Sequence, residues 1–130
     1  MGAMDVIDLG FLDGLTAEWR EEVVDYLRGG RREFSEELAR EAGEQGETEF
    51  ARAVLAEMAR IPYGTARSYG EIAVLAGYPR AARAVGTVCR KNKYPIVIPC
   101  HRVVGGNGIG GYAFGLDMKR ELLRREGVVL

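Results

Sequence analysis

The chain has 130 residues, 47% hydrophobic and 28% charged, with a formal net charge of −1, which suits one water-soluble globular domain with room for a small appended unit. No apolar run approaches the roughly 20 residues that span a bilayer, and the acidic start lacks the apolar stretch of a secretory signal, so a cytoplasmic protein without membrane contact is expected. Two cysteines (Cys89, Cys100) and one histidine (His101) are too few for a disulfide framework or a four-ligand zinc site, so no metal site is expected.

Met1-Gly2-Ala3-Met4 reads as an expression remnant ahead of a second start. Residues 5–47 are expected as a small N-terminal unit. In it, Val6 to Leu12 is expected as a short strand. Thr16 to Arg28 is expected as a helix carrying Trp19, Val23, Val24, Tyr26 and Leu27 at helical spacing and ended by Gly29-Gly30. Arg32 to Phe34 is expected as a second short strand, and residues 35–47, acidic and punctuated by glycine, as a helical turn or connector.

Residues 48–130 form the larger unit. A helix is expected from Thr48 to Arg60, with Phe50, Val54, Leu55 and Met58 as its buried stripe and Pro62 and Gly64 after it. Ser68-Tyr69-Gly70-Glu71 has the pattern of a capping box, opening a short helix to Ala76. Gly77 suits a left-handed stop, and Pro79 suits the first turn of another helix reaching Arg90. Two short helices joined by a glycine turn describe a helix-turn-helix. Its second helix, Pro79-Arg80-Ala81-Ala82-Arg83-Ala84-Val85-Gly86, is small-sided, so its backbone could lie close to a groove while Arg80 and Arg83 reach out. Residues 94–104 are apolar, β-branched and interrupted by Pro95 and Pro99, which argues against a central strand and for a buried extended segment presenting Cys100. A glycine-rich loop over 105–115 follows, then a helix from Leu116 to Arg125 with Gly127 as its stop. The fold class is α+β, mostly helical.

Charge is sorted along this chain. Residues 1–49 carry 14 acidic and 5 basic side chains. Residues 72–116 carry no acid and six cations: Arg80, Arg83, Arg90, Lys91, Lys93 and Arg102. An acid-free basic stretch on a helix pair suits a polyanion, although a solvated basic face would have the same composition.

A nucleophilic cysteine must become a thiolate, which needs a base, positive charge or a helix N-terminus nearby. Cys100 has His101 and Arg102 beside it. In an extended segment adjacent side chains point to opposite faces, so sequence adjacency alone leaves Cys100 readable as a small buried hydrophobe and His101 as a satisfied core residue.

Pro99-Cys100-His101-Arg102-Val103-Val104 resembles the active-site signature of the alkylguanine-DNA alkyltransferases, also called methylated-DNA–protein-cysteine methyltransferases. The likeness runs in the family's order from Thr48 to Gly127. It passes through Ile61-Pro62-Tyr63-Gly64, Ser68-Tyr69-Gly70-Glu71-Ile72-Ala73, Ala81-Ala82-Arg83-Ala84-Val85-Gly86, Gly111-Tyr112, Leu122-Leu123 and Glu126-Gly127. The resemblance implies a DNA-repair protein that binds duplex DNA, flips out a 6-O-alkylated guanine and takes the alkyl group irreversibly onto its own cysteine, once per molecule and as a monomer. It implies Cys100 as acceptor, His101 as its base through a water, Glu126 orienting His101, Tyr69 on a phosphate and as proton donor to guanine, and Asn92 binding backbone at the active-site turn. Arg83 would fill the gap left by the flipped nucleotide, with Arg80, Ala81, Ala82, Arg90 and Arg102 also on DNA. Pro95, Val103, Tyr112 and Ala113 would line the guanine pocket.

The chain departs from the family's pattern at three places: the N-terminal unit is short, Lys93 stands where Pro often follows the Asn, and Phe114 stands where Gly is usual. Three other readings compete. A non-enzymatic sensor of alkylated DNA would lack the cysteine. A helix-turn-helix regulator would leave the Cys100 motif unused, and a cysteine hydrolase would turn over without DNA.

Overall fold

A computed structural model of the chain describes residue 7 and residues 9–129. It is mostly helical, with six α-helices and one two-stranded parallel sheet among these residues. The helices are α1 (Ala17–Leu27), α2 (Glu36–Gly43), α3 (Glu49–Ala59), α4 (Tyr69–Leu75), α5 (Ala82–Lys91) and α6 (Leu116–Arg125). The strands are β1 (Arg67–Ser68) and β2 (Val103–Val104).

The N-terminal unit holds no strand among its described residues. Leu9 to Leu12 runs into a 3-10 helix over Gly10–Gly14; Val6, Asp8 and the suspected remnant Met1–Met4 lie outside the described residues. The segment 32–34 is irregular, because its neighbours are recruited elsewhere. The Arg31 guanidinium donates to Glu22 and Asp25, Phe34 leans on Tyr26, and Ser35 caps α2 by accepting from Leu38 N at 3.3 Å. With that cap, the acidic 35–47 segment forms a helix rather than a loose connector.

Ends of the helices follow their capping residues. Thr48 accepts from Ala51 N at 3.0 Å to start α3. Ser68 and Glu71 form the reciprocal box at α4, each at about 3 Å from the other's backbone N–H. Gly77 (φ +90°) ends α4, where Tyr78 N donates to Ala73 O and Gly77 N to Val74 O, the bond pair of a Schellman stop. That stop consumes Tyr78 and displaces the next helix. Pro79 occupies a turn closed by Ala81 N to Tyr78 O at 2.9 Å, a place its fixed φ favours, and α5 begins at Ala82 rather than Pro79.

One hydrophobic cluster joins both parts of the chain: Trp19, Val23 and Leu38 share it with Val54, Leu55, Met58, Ile72, Val85, Ile98 and Leu122. At roughly 1.5–3 kcal/mol for each fully buried aliphatic side chain, this shared core holds α1 and α2 against α3–α6. The parallel pairing Arg67↔Val103 and Ser68↔Val104 matters most for the site. It fastens the entry to α4 to the residues that immediately follow Cys100-His101-Arg102.

Candidate active site

Residues 94–102 are not extended. Ile98 N donates to Tyr94 O at 3.0 Å, and Ile96 between them has φ +76°, a strained value for a buried β-branched residue. Pro99 (φ −79°, ψ 63°) with Cys100 N to Ile98 O at 2.7 Å makes an inverse γ-turn. Cys100–Arg102 then forms a single 3-10 turn. The two prolines and the β-branched residues that suggested an extended run instead build back-to-back turns, which carry Cys100 and His101 inward. Both are buried.

Cys100 Sγ lies 3.2 Å from Asn92 Nδ2, which also donates to Ile98 O at 3.0 Å. Asn92 therefore binds both the backbone of the turn that carries Cys100 and the sulfur itself. Burial pushes the Cys100 thiol up to about 11, against the Asn92 hydrogen bond and the Lys119 ammonium, which favour the thiolate. The resting group is a neutral thiol that needs a base.

His101 sits on a fully buried relay. Its Nε2 is 2.8 Å from Glu126 Oε2. The same carboxylate accepts from Arg102 Nε at 2.7 Å and Nη2 at 2.9 Å, from Gly64 N at 3.0 Å, and from the Tyr26 hydroxyl. Burial would raise the Glu126 carboxyl, but its bonds to His101 and Arg102 outweigh that and hold it well below the usual carboxylate range. Burial lowers His101 despite Glu126, so the imidazole is neutral and able to accept a proton. Its Nδ1 is buried and has no hydrogen-bond partner among the described residues.

Arg102 was expected on the DNA face and is not there. It is buried, with its guanidinium on Glu126 and its Nη1 donating to Ile61 O at 2.7 Å. Its place in the 3-10 turn aims it into the core, where a carboxylate and a carbonyl satisfy it.

A cleft of about 750 Å³ opens over the helix-turn-helix, lined by Tyr69, Ala82, Arg83, Gly86, Cys89, Arg90, Tyr112 and Ala113 among others. It gathers six of the expected residues. Arg80 is exposed in the turn before α5 and Ala81 half-exposed beside it, both outside the cleft lining. Pro95 and Val103 are buried behind it. Tyr69 OH is 3.3 Å from Gly111 N and 3.4 Å from Gly111 O. The glycine loop is thus pinned over the site, and Gly110 (φ +75°) leaves no room for a Cβ, which would meet Tyr69 OH at 2.9 Å. Cys89 touches Met58 Sδ at 3.5 Å, and burial pushes its thiol up to about 12, which suits an inert residue. Phe114 packs on Tyr112 at 5.6 Å and on Phe11 at 6.0 Å, which ties the pocket wall to the N-terminal unit.

Sequence reasoning missed three groups. Lys119 is fully buried, donates to Val103 O at 2.6 Å and Gly111 O at 2.8 Å, and is lowered by burial to about 8. It sits on the inner face of an otherwise charged helix, where one more lysine carries no signal. Tyr26 and Gln45 reach the site from the N-terminal unit, more than 40 residues away in sequence, a distance no local pattern bridges. Among the described residues, no group of three or more His, Cys, Asp or Glu side chains could hold a metal ion, and no helix is long and apolar enough to cross a membrane.

Residues 49–128 match the family model described as 6-O-methylguanine DNA methyltransferase, DNA binding domain. The chain is 47% identical over 103 residues to the methylated-DNA–protein-cysteine methyltransferase of Methanosarcina acetivorans, covering 78% of this chain and 63% of the relative. It is 42% identical over 98 residues to the constitutive Bacillus subtilis protein of that name, covering 75% of this chain and 56% of the relative. It thus spans less than two thirds of the length of these relatives. Among solved structures it is similar to Mycobacterium tuberculosis OGT in complex with DNA, with TM-score 0.70 and 38% identity over 82% of this chain and 63% of that one. It is also similar to the methyltransferase of the hyperthermophilic archaeon Pyrococcus kodakaraensis, with TM-score 0.68 and 28% identity over 95% and 76% of the two chains.

Proposed function

The chain belongs to the 6-O-methylguanine DNA methyltransferase family, and from that premise we propose that it repairs 6-O-alkylguanine in duplex DNA by moving the alkyl group onto Cys100. The observation that carries this reading is a buried neutral thiol next in sequence to a buried neutral imidazole with one free ring nitrogen, set behind a cleft whose outer wall is the basic helix α5.

The chemistry follows from the geometry. Duplex DNA lies along α5, held by phosphate attraction to its cations. The damaged base must leave the stack, at a cost of a few kcal/mol, and Arg83 on the cleft wall enters the gap. In the cleft, guanine meets Tyr112 and Ala113 beneath the loop that Tyr69 and Lys119 pin. His101 Nδ1 takes the Cys100 proton through a water, because Nε2 is occupied by Glu126. Sulfur then attacks the alkyl carbon, the carbon–oxygen bond to guanine breaks, and a proton reaches the departing guanine through the Tyr69 hydroxyl. The imidazolium is balanced by Glu126, a charge already ionised and held by Arg102, so little reorganisation is needed as it forms. The product is a thioether that no group in the site can cleave. The protein is therefore consumed by one turnover, with no cofactor required by this chemistry; a monomer acting on cytoplasmic DNA is part of the same proposal.

Mixing the protein with a duplex carrying one 6-O-methylguanine should add one methyl group per molecule by intact mass, and Cys100→Ala should abolish the gain. Tight binding to the damaged duplex without a mass gain would replace this reading with that of a damage sensor. Neither transfer nor preference for damage would leave a plain DNA-binding module.

A further inference from the structure

A primary amide can face a site in two ways, and its neighbours decide which. Asn92 Oδ1 accepts from Tyr94 N at 3.0 Å and from Gln45 Nε2 at 3.0 Å. With two donors on the oxygen, Nδ2 is turned to Ile98 O and Cys100 Sγ. The opposite orientation would set N–H against N–H on one side and oxygen against carbonyl on the other. Gln45 is itself held by two further atoms. Its Nε2 also donates to Ala42 O at 2.8 Å, and its Oε1 accepts from Lys93 N at 2.6 Å. That last bond exists because residue 93 is a lysine with a backbone N–H, which a proline would lack. Gln45 therefore ties the end of α2 to the end of α5 at the residue that touches the sulfur.

We propose that Gln45 is a positioning residue for Cys100: it locks the Asn92 amide in the orientation that donates to the sulfur, and so holds the attacking atom in place and favours the thiolate as its proton leaves. The groups that face Cys100 are few. Lys119 from α6 supplies the positive charge; Tyr69 from α4, Cys89 from α5 and Tyr112 from the glycine loop are neutral. The Asn92 hydrogen bond favours the thiolate more than Lys119 does. Losing control of that one amide should therefore be felt at the sulfur.

The inference rests on Cys100 being the acceptor, and its test is chosen to stand apart from repair. Gln45→Glu keeps the bond to Lys93 N but puts an oxygen opposite Asn92 Oδ1, which favours the turned amide. Gln45→Ala removes both bonds. The full chain is labelled with iodomethane across a pH series, the cysteine is identified by peptide mass spectrometry, and single-turnover transfer from a methylated duplex is followed in parallel. The labelling midpoint of Cys100 should rise by about one pH unit in Gln45→Glu, equivalent to about 1.36 kcal/mol, because a donor that favoured the thiolate is turned away. Gln45→Ala should rise less. Transfer should slow about tenfold at neutral pH, with duplex affinity unchanged. An unchanged midpoint in folded variants overturns the proposal, and so does a lower melting temperature with the midpoint fixed, which would make Gln45 merely structural. A wild type that transfers nothing, but whose midpoint moves on substitution, would sink the repair reading and leave the positioning role standing.

Discussion

Glu126 gathers more donors than any other side chain described here, and they come from three separate parts of the chain: Tyr26 in α1, Gly64 before β1, and the neighbours His101 and Arg102. Tyr26 is the one supplied by the N-terminal unit. Burial first, then the facing carboxylate, raises its phenol far above the usual value, so it is always a donor to an ionised acceptor. Tyr26→Phe removes that bond and leaves the ring in place against Tyr63 and Phe34. The expected loss is about 1.5–3 kcal/mol, the usual range for a hydrogen bond to a charged group. The pH dependence has a definite sign. Glu126 has a folded pKa below its unfolded value, so the stability it contributes is present above about 4.5 and is lost as pH falls through the folded value. The Tyr26 hydroxyl donates to that carboxylate, and a donor to a carboxylate favours its ionised form. The gap between wild type and Tyr26→Phe should therefore be full near neutrality and shrink on acidification. Denaturant melts at several pH values check this, and a gap independent of pH would mean that the hydroxyl does not act on the ionised carboxylate.

Local signals in the sequence were legible wherever one residue decides one helix end. Ser68 with Glu71, Thr48, Gly77 and Gly127 set their helix ends in the structure as their chemistry requires. Gly127 also does something for the site: the stop it makes, with Val128 N on Leu123 O at 2.9 Å, leaves Glu126 as the C-cap of α6, its side chain buried against His101 and Arg102. The signals failed where two local rules competed. Pro79 could open a helix or occupy a turn, and the Schellman stop before it chose the turn. The apolar run 94–104 could be extended or folded back, and hydrogen bonds spaced by two and four residues chose the turns. The helix pair itself yields a prediction with opposite signs for stability and binding. Gly86 lies within α5, and a Cβ there would meet Arg90 Nη1 at 3.7 Å and Tyr69 Cε1 at 3.9 Å, ordinary contacts. Gly86→Ala should stabilise the helix by about 0.5–1 kcal/mol in thermal melts. The added methyl also faces the cleft and should weaken duplex binding several-fold. Gains in both stability and affinity would remove this face of α5 from the DNA interface.

At the scale of the whole molecule, the sequence separated an acidic N-terminal unit from a basic stretch, and this division survives folding with one amendment. Of the six cations in residues 72–116, Arg102 is spent inside on Glu126, where a charge count along the sequence could not place it. Arg80, Arg83, Arg90, Lys91 and Lys93 remain exposed. The acidic unit in turn is not a passive appendage. Trp19 stacks on Tyr94 at 4.6 Å, Tyr26 holds Glu126, and Gln45 holds Asn92, so the acidic unit braces the unit that carries the basic stretch. That arrangement bounds the electrostatics of binding. Each phosphate neutralised lowers log K by about 0.9 per decade of salt, so five exposed cations allow a slope no steeper than about −4.5. Six, as the sequence alone suggested, would allow about −5.4 by the same rule. Anisotropy titrations of an undamaged duplex across a range of sodium chloride concentrations give this slope directly. A value between about −3 and −4.5 is expected, since cations at the edge of α5 need not all reach phosphate. A steeper slope would require cations beyond this stretch, such as Arg67 at the foot of α4, to join the interface. A slope near zero would mean that the basic face of α5 does not meet DNA, and the orientation of the duplex over the cleft would have to be abandoned.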